Sequence, residues 1–113
     1  MSSSYQAKEP LIQSRQLEVQ SIHAICDLSQ ASAGHSDLPA VALTGAADAK
    51  TITLTVGELI ESCQAVRITN RATGAIVATS SLPDISVARV ISVVAVGTGI
   101  ASADVEFLYT IAE

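Results

Sequence analysis

A chain of 113 residues makes one domain at most, and its net charge of −5 with six scattered basic residues argues against nucleic-acid binding, which needs clustered Lys and Arg. Aromatic residues make up only 3% and Trp is absent, so the core is thin and subunit contacts are expected to supplement it. The charged fraction of 15% is low, and the polar surface is built from Ser, Thr, Gln and Asn instead. Residues 1–20 contain no apolar leader core, which sets the expectation of a protein made in the cytoplasm without a signal peptide. No apolar run approaches the ~18 residues of a membrane span, so no membrane partner is expected.

Residues 1–19 read as an extended N-terminal arm, followed by a single β domain over residues 20–113. The arm is polar, Pro10 holds Glu9 extended, and Leu11, Ile12, Leu17 and Val19 are its sparse apolar anchors. These four are the candidate partner contacts of the arm. The first strand signal lies in residues 19–28, where Ile22, Ala24, Cys26 and Leu28 share one parity while Leu17 and Val19 have the other. That phase change near Gln20 and Ser21 reads as a β-bulge or as the end of the arm.

Residues 30–38 are a loop by composition, and residues 40–44 a short strand opened by Pro39. A small-residue loop over 45–50 closes that strand. Residues 51–56 alternate cleanly, with Ile52, Leu54 and Val56 inward and three threonines outward. Residues 57–62 read either as one helical turn or as an irregular connection. Residues 65–69 and 75–80 form a predicted hairpin around the turn chemistry of N-R-A-T-G.

Residues 87–112 read as a second hairpin, two β-branched runs around a Gly-rich loop. In its second half Val105, Phe107, Tyr109 and Ile111 share a face, opposite Asp104, Glu106, Leu108 and Thr110. In its first half Val90, Ile91, Val93, Val94 and Val96 put apolar groups on both faces, so one set packs inside and the other meets a neighbour. These five are the candidate subunit interface. About seven strands with turn signals between them predict an all-β fold, a small antiparallel β-sandwich or barrel.

No catalytic constellation emerges. His23 and Cys26 have a metal-like spacing, but positions three apart on a strand face opposite ways, so no metal or cofactor is expected. Asp104 and Glu106 share a face and read as a solvated surface rather than an acid–base pair. Cys26 and Cys63 read as two free buried thiols. Tyr5, Phe107 and Tyr109 are too few for a sugar-stacking platform.

The arm, the Thr-faced strand 51–56 and the terminal segment 87–112 together resemble small bacteriophage virion proteins of the capsid decoration, or cement, type. That resemblance implies a non-enzymatic clamp on the capsid lattice, with the major capsid protein or another virion subunit as partner. It also implies a homo-oligomer, a trimer favoured, located in the virion. The alternatives are a tail, collar or fibre module, or an oligomerising or carbohydrate-binding β-module.

Overall fold

Alternation of inward apolar and outward polar side chains decides where the core lies. The computed structural model of the protein describes residues 18–30, 34–97 and 99–112, and among them it holds eight strands and no helix. The strands are β1 (Val19–Asp27), β2 (His35–Ser36), β3 (Val41–Ala46), β4 (Ala49–Thr55), β5 (Ile60–Asn70), β6 (Ala78–Thr79), β7 (Val90–Val96) and β8 (Ala103–Ile111). They form two antiparallel four-stranded sheets, a first sheet in the order β2-β1-β8-β5 and a second in the order β3-β4-β7-β6. Of the antiparallel sandwich or barrel read from the sequence, the fold is the sandwich. The strand beyond the predicted seven is β2, a two-residue pairing inside the segment 30–38 that composition reads as loop.

The inward sets are those the periodicity predicts. Ala24, Cys26 and Leu28 on and after β1, Ile52 and Leu54 on β4, and Val105, Phe107 and Tyr109 on β8 are all buried in one core. From β7 the core takes Ile91, Val93 and Ala95.

The terminal segment is not a hairpin. β7 pairs with β4 and β6 in the second sheet, whereas β8 pairs with β1 and β5 in the first. The connection therefore crosses between sheets, with Gly97 (φ 149°) and Gly99 (φ 70°) in backbone conformations that favour glycine. Its far end is tied down: the Leu28 amide donates to the Ile100 carbonyl at 2.9 Å and the Arg71 amide to the Ser102 carbonyl at 3.0 Å. The physical reason lies in the apolar faces. Two runs that each need a core face bury both by entering one core from opposite sheets, while side-by-side pairing leaves both waiting for another layer.

The predicted hairpin after β5 is real but brief. Val77 donates to the Ile68 carbonyl at 2.8 Å and Asn70 to the Ala75 carbonyl at 2.8 Å, and then the chain leaves β5 to pair with β7 as β6. Residues 57–62 form no helical turn; 57 and 58 bend and β5 begins at Ile60. β1 runs in unbroken register along β8 from Val19 to Cys26, so there is no bulge at Gln20 and Ser21. Val19 simply faces outward, 55% exposed. The irregularities fall in β5 instead, between Ile60 and Ser62 and between Cys63 and Ala65.

The small-residue loop over 45–50 is mostly strand. β3 and β4 pair from Val41↔Leu54 to Ala46↔Ala49, leaving Ala47 and Asp48 as a two-residue turn. Gly45 sits at φ 95° in that hairpin, where an added Cβ would lie 2.8 Å from the Ala49 carbonyl oxygen. Gly34 marks a second close approach, since a Cβ there would meet the Asp27 carbonyl oxygen and Leu43, each at 2.7 Å.

Candidate interaction surfaces

The two sheets present opposite kinds of surface. On the first sheet the outward positions carry an ionic network across three strands. His23 Nε2 lies 2.8 Å from Asp104 Oδ1, and Arg71 Nε lies 3.5 Å from Asp104 Oδ2. Arg67 Nη1 lies 3.5 Å from Glu106 Oε1, and the Ser21 hydroxyl donates to Glu106 Oε2 at 3.2 Å. The cross-strand register His23↔Glu106↔Arg67 places these side chains in one row or the next.

This network has the ingredients of a hydrolytic site but not its geometry. A serine nucleophile needs the imidazole as its base. Here Ser21 donates to Glu106 and His23 turns to Asp104. Asp104 and Glu106 do share a face, and each is engaged by cations. Exposed pairs of this kind contribute little stability individually. His23 and Cys26 do not converge, because Cys26 is buried in the core while His23 is exposed on the outer face. Among the described residues no group of three His, Cys, Asp or Glu is placed to hold a metal ion.

The second sheet's outer face is different. Its rows run Ala46, Ala49, Val96, Ala78; then Thr44, Thr51, Val94; then Ala42, Thr53, Ser92; then Thr55, Val90. None of these side chains is ionisable, but the third row continues past Ser92 to the exposed Asp84, which exchanges backbone hydrogen bonds with it at 2.8 and 2.9 Å. The candidate interface residues divide accordingly. Ile91 and Val93 lie in the core and are unavailable to a partner, while Val90, Val94 and Val96 belong to the outward rows, Val96 being 45% exposed. Comparison with protein-family models, curated proteins and solved structures finds no match. The surfaces themselves must carry the functional reading.

Exposed apolar side chains gather on the segments around β7. Ile76 is 88% exposed and Leu82 86%, both on the stretch that leads into and past β6, and Val87 precedes the turn into β7. A groove of about 490 Å³ lies where this stretch leaves β5, lined by Val66, Ile68, Ile76 and Val77 with Arg67 and the threonines Thr69 and Thr79. The turn into β7 contains Arg89 in the left-handed region at φ 65°. Its carbonyl accepts from the Val56 amide at 2.9 Å and its Nε donates to the Gly57 carbonyl at 3.3 Å. Of the arm anchors, Leu11, Ile12 and Leu17 lie outside the described residues, as does Tyr5. Val19 is part of β1, paired with Thr110.

Cys26 and Cys63 are free. Burial pushes both thiols up, which keeps them protonated and poorly nucleophilic near neutral pH. Two carboxylates move the other way. Asp27 closes β1 by accepting from the Ser29 hydroxyl at 2.6 Å, the Ser29 amide at 2.9 Å and the Gln30 side-chain amide at 3.2 Å. These bonds, the hydroxyl first, hold its carboxyl below the usual range, and Ser86 does the same for Asp84.

A depressed folded-state value means that the contribution to stability is present above the unfolded-state value, about pH 4. It is lost as the pH falls through the folded value. Asp27→Ala is therefore expected to lower the melting temperature at pH 7, with the gap to wild type closing below about pH 4. A gap that stays constant down to acid denaturation would mean that Asp27 acts without its charge.

Proposed function

We propose that this chain is a non-enzymatic structural subunit that works by face-to-face contact inside a larger assembly, of the kind represented by phage capsid decoration proteins. The observation that supports this reading is the outer face of the second sheet, whose β3, β4, β7 and β6 rows hold no ionisable side chain and meet a charge at Asp84 on their edge, set against the ionic network on the outer face of the first. A solvated monomer gains nothing from keeping the three long strands of one sheet face free of charge. A subunit that buries that face avoids the cost of desolvating ions.

The mechanism requires no chemistry. A protein that binds an assembled shell but not its separate subunits stabilises the shell by mass action. Weak contacts repeated around a lattice add up through effective concentration. On this reading the ionic face of the first sheet meets solvent, and the virion is the site of action. A tail, collar or fibre module would use the same surface logic on a different particle.

The test is to fractionate native particles from the source on a density gradient and to probe the fractions with an antibody to this chain. The expected result is co-migration with intact particles at a fixed ratio to the shell subunit, and release when the particles are dissociated. Recovery only as a slowly sedimenting free protein would overturn the proposal. A fixed ratio to a tail or fibre component would move it to that structure.

A further inference from the structure

We propose that the segment preceding β1 folds back on its own domain and adds a fifth strand to the first sheet, antiparallel to β5. The docking surface is the open edge of β5 together with the groove beside it.

β5 stands at the edge of its sheet, and successive residues of a strand point their backbone groups to alternate sides. The Ile68 carbonyl accepts from Val77 and the Asn70 amide donates to Ala75. Ile68 and Asn70 therefore point away from β8, and by the same alternation so does Val66. At Ala78 the neighbouring chain leaves β5 to pair with β7. From Val66 back to Ile60, no strand among the described residues lies against the outward side of β5. An open edge of that length is a template for another strand. The two bulges of β5 bend it, which discourages pairing with the flat edge of another sheet but leaves room for a single adaptable segment. The groove continues the line of the departed strand, and Ile76 on its wall is 88% exposed.

The chain's own N-terminal segment reaches this edge. Val19, Thr110 and Ser62 stand in one row across β1, β8 and β5, so β1 and β5 begin at the same end of the sheet. A segment that arrives there along β5 runs opposite to it, the sense in which 75–77 already pair. Passing from outside β5 to β1 crosses three strand spacings, about 14 Å, and the stretch Ile60–Val66 covers about 23 Å. Residues 1–17 span up to roughly 56 Å when extended, so the segment arrives with length to spare. Tethering also keeps it at an effective concentration on the order of millimolar, which no free partner matches easily.

Its sequence suits an edge. Pro10 has no amide to donate and belongs on an edge strand with its nitrogen toward solvent. Backbone alternation then turns Lys8 and Ile12 outward as well, and aims the groups of Glu9 and Leu11 at β5. Proline on the new edge stops any further strand from adding. Lys8 and Arg15 bring positive charge to an end of the sheet where Glu58 and Glu61 are exposed and in no ion pair among the described residues.

The experiment is amide hydrogen exchange on the full chain, read residue by residue by NMR. The outward Val66 amide is expected to be protected in wild type. Leu11→Pro removes a donor aimed at β5 and should speed Val66 exchange at least about tenfold, while Phe107 keeps its protection. Ile12→Pro removes an amide that points to solvent and should leave Val66 protected. A nitroxide on Ala7→Cys in a Cys63→Ser chain gives a second reading, since Cys26 is buried. It should broaden the amides of 66–69 and 76–79 and spare those of β3. Spin-labelled chains mixed with isotope-labelled chains that carry no nitroxide should show none of this broadening.

A Val66 amide that exchanges freely in wild type would overturn the proposal, and so would protection that survives Leu11→Pro. Protection lost equally in both proline variants would overturn it too, because an edge pairing separates neighbouring amides. Broadening of β5 in the mixture would make the added strand another copy's and sink the pairing within one chain.

Discussion

Phe107→Ala is expected to destabilise the domain by about 3–5 kcal/mol, the range for removing a buried ring and leaving a cavity. Phe107 is the only Phe in a chain without Trp, and it is fully buried on β8. The register sets it between Ile22 on β1 and Val66 on β5, so its ring fills the middle of the first sheet's inner face. Its neighbours along the strand, Val105 and Tyr109, are buried too, and the rest of the core is mostly Ala, Val, Ile and Leu. None of those side chains is large enough to close the space.

A domain of this size has roughly 5–15 kcal/mol of stability in total. The variant is therefore expected to lose a large share of it, with the urea midpoint shifted far down and the slope unchanged. Phe107→Leu should cost much less, about 1–2 kcal/mol, because most of the volume returns. A loss below about 1 kcal/mol for the alanine variant would mean that the core collapses around the site and that β8 is not its centre.

What was legible in the sequence follows from what period two can express. Alternation in β4 and β8 fixes which side chain faces in, because the pleat leaves no choice, and Ile52, Leu54, Val105 and Phe107 are all where that pattern puts them. Alternation says nothing about which strand lies alongside. Gly97 and Gly99 serve a crossing between sheets as well as they would serve a hairpin, so β7 and β8 were paired with each other when they belong to opposite layers.

The outer face of the second sheet suffered from the same gap. Val94 and Val96 were visible as outward candidates, and so were the threonines of β4. That Ala42, Thr53 and Ser92 form one row, and that its first charge is Asp84 at the edge, depends on pairings that only the fold supplies. The inward half of the candidate set, Ile91 and Val93, was mistaken for interface only in being grouped with its neighbours. Parity had already separated it.

Lys50 is where local chemistry misled most. It continues the inward parity of Ile52 and Leu54, yet a lysine beside a turn reads as loop. It is fully buried on β4. Its ammonium donates to the Gln30 carbonyl at 2.7 Å and to the Gly45 carbonyl at 2.7 Å. Gln30 follows β1 of the first sheet and Gly45 is on β3 of the second, so the side chain clasps one end of the sandwich shut.

Lys50→Met keeps most of the stem and removes the donor. Two backbone carbonyls then lose charge-assisted bonds, for which about 1–3 kcal/mol is the expected loss, partly offset by no longer burying a charge. Lys50→Ala adds a cavity to that and should cost about 3–5 kcal/mol. Urea denaturation measures both. Hydrogen exchange locates the effect, since amides at 28–30 and 43–46 should lose protection in the methionine variant while those of β8 keep theirs. A methionine variant as stable as wild type would show that the ammonium costs as much to bury as its bonds return. The end of the sandwich would then be held by packing alone.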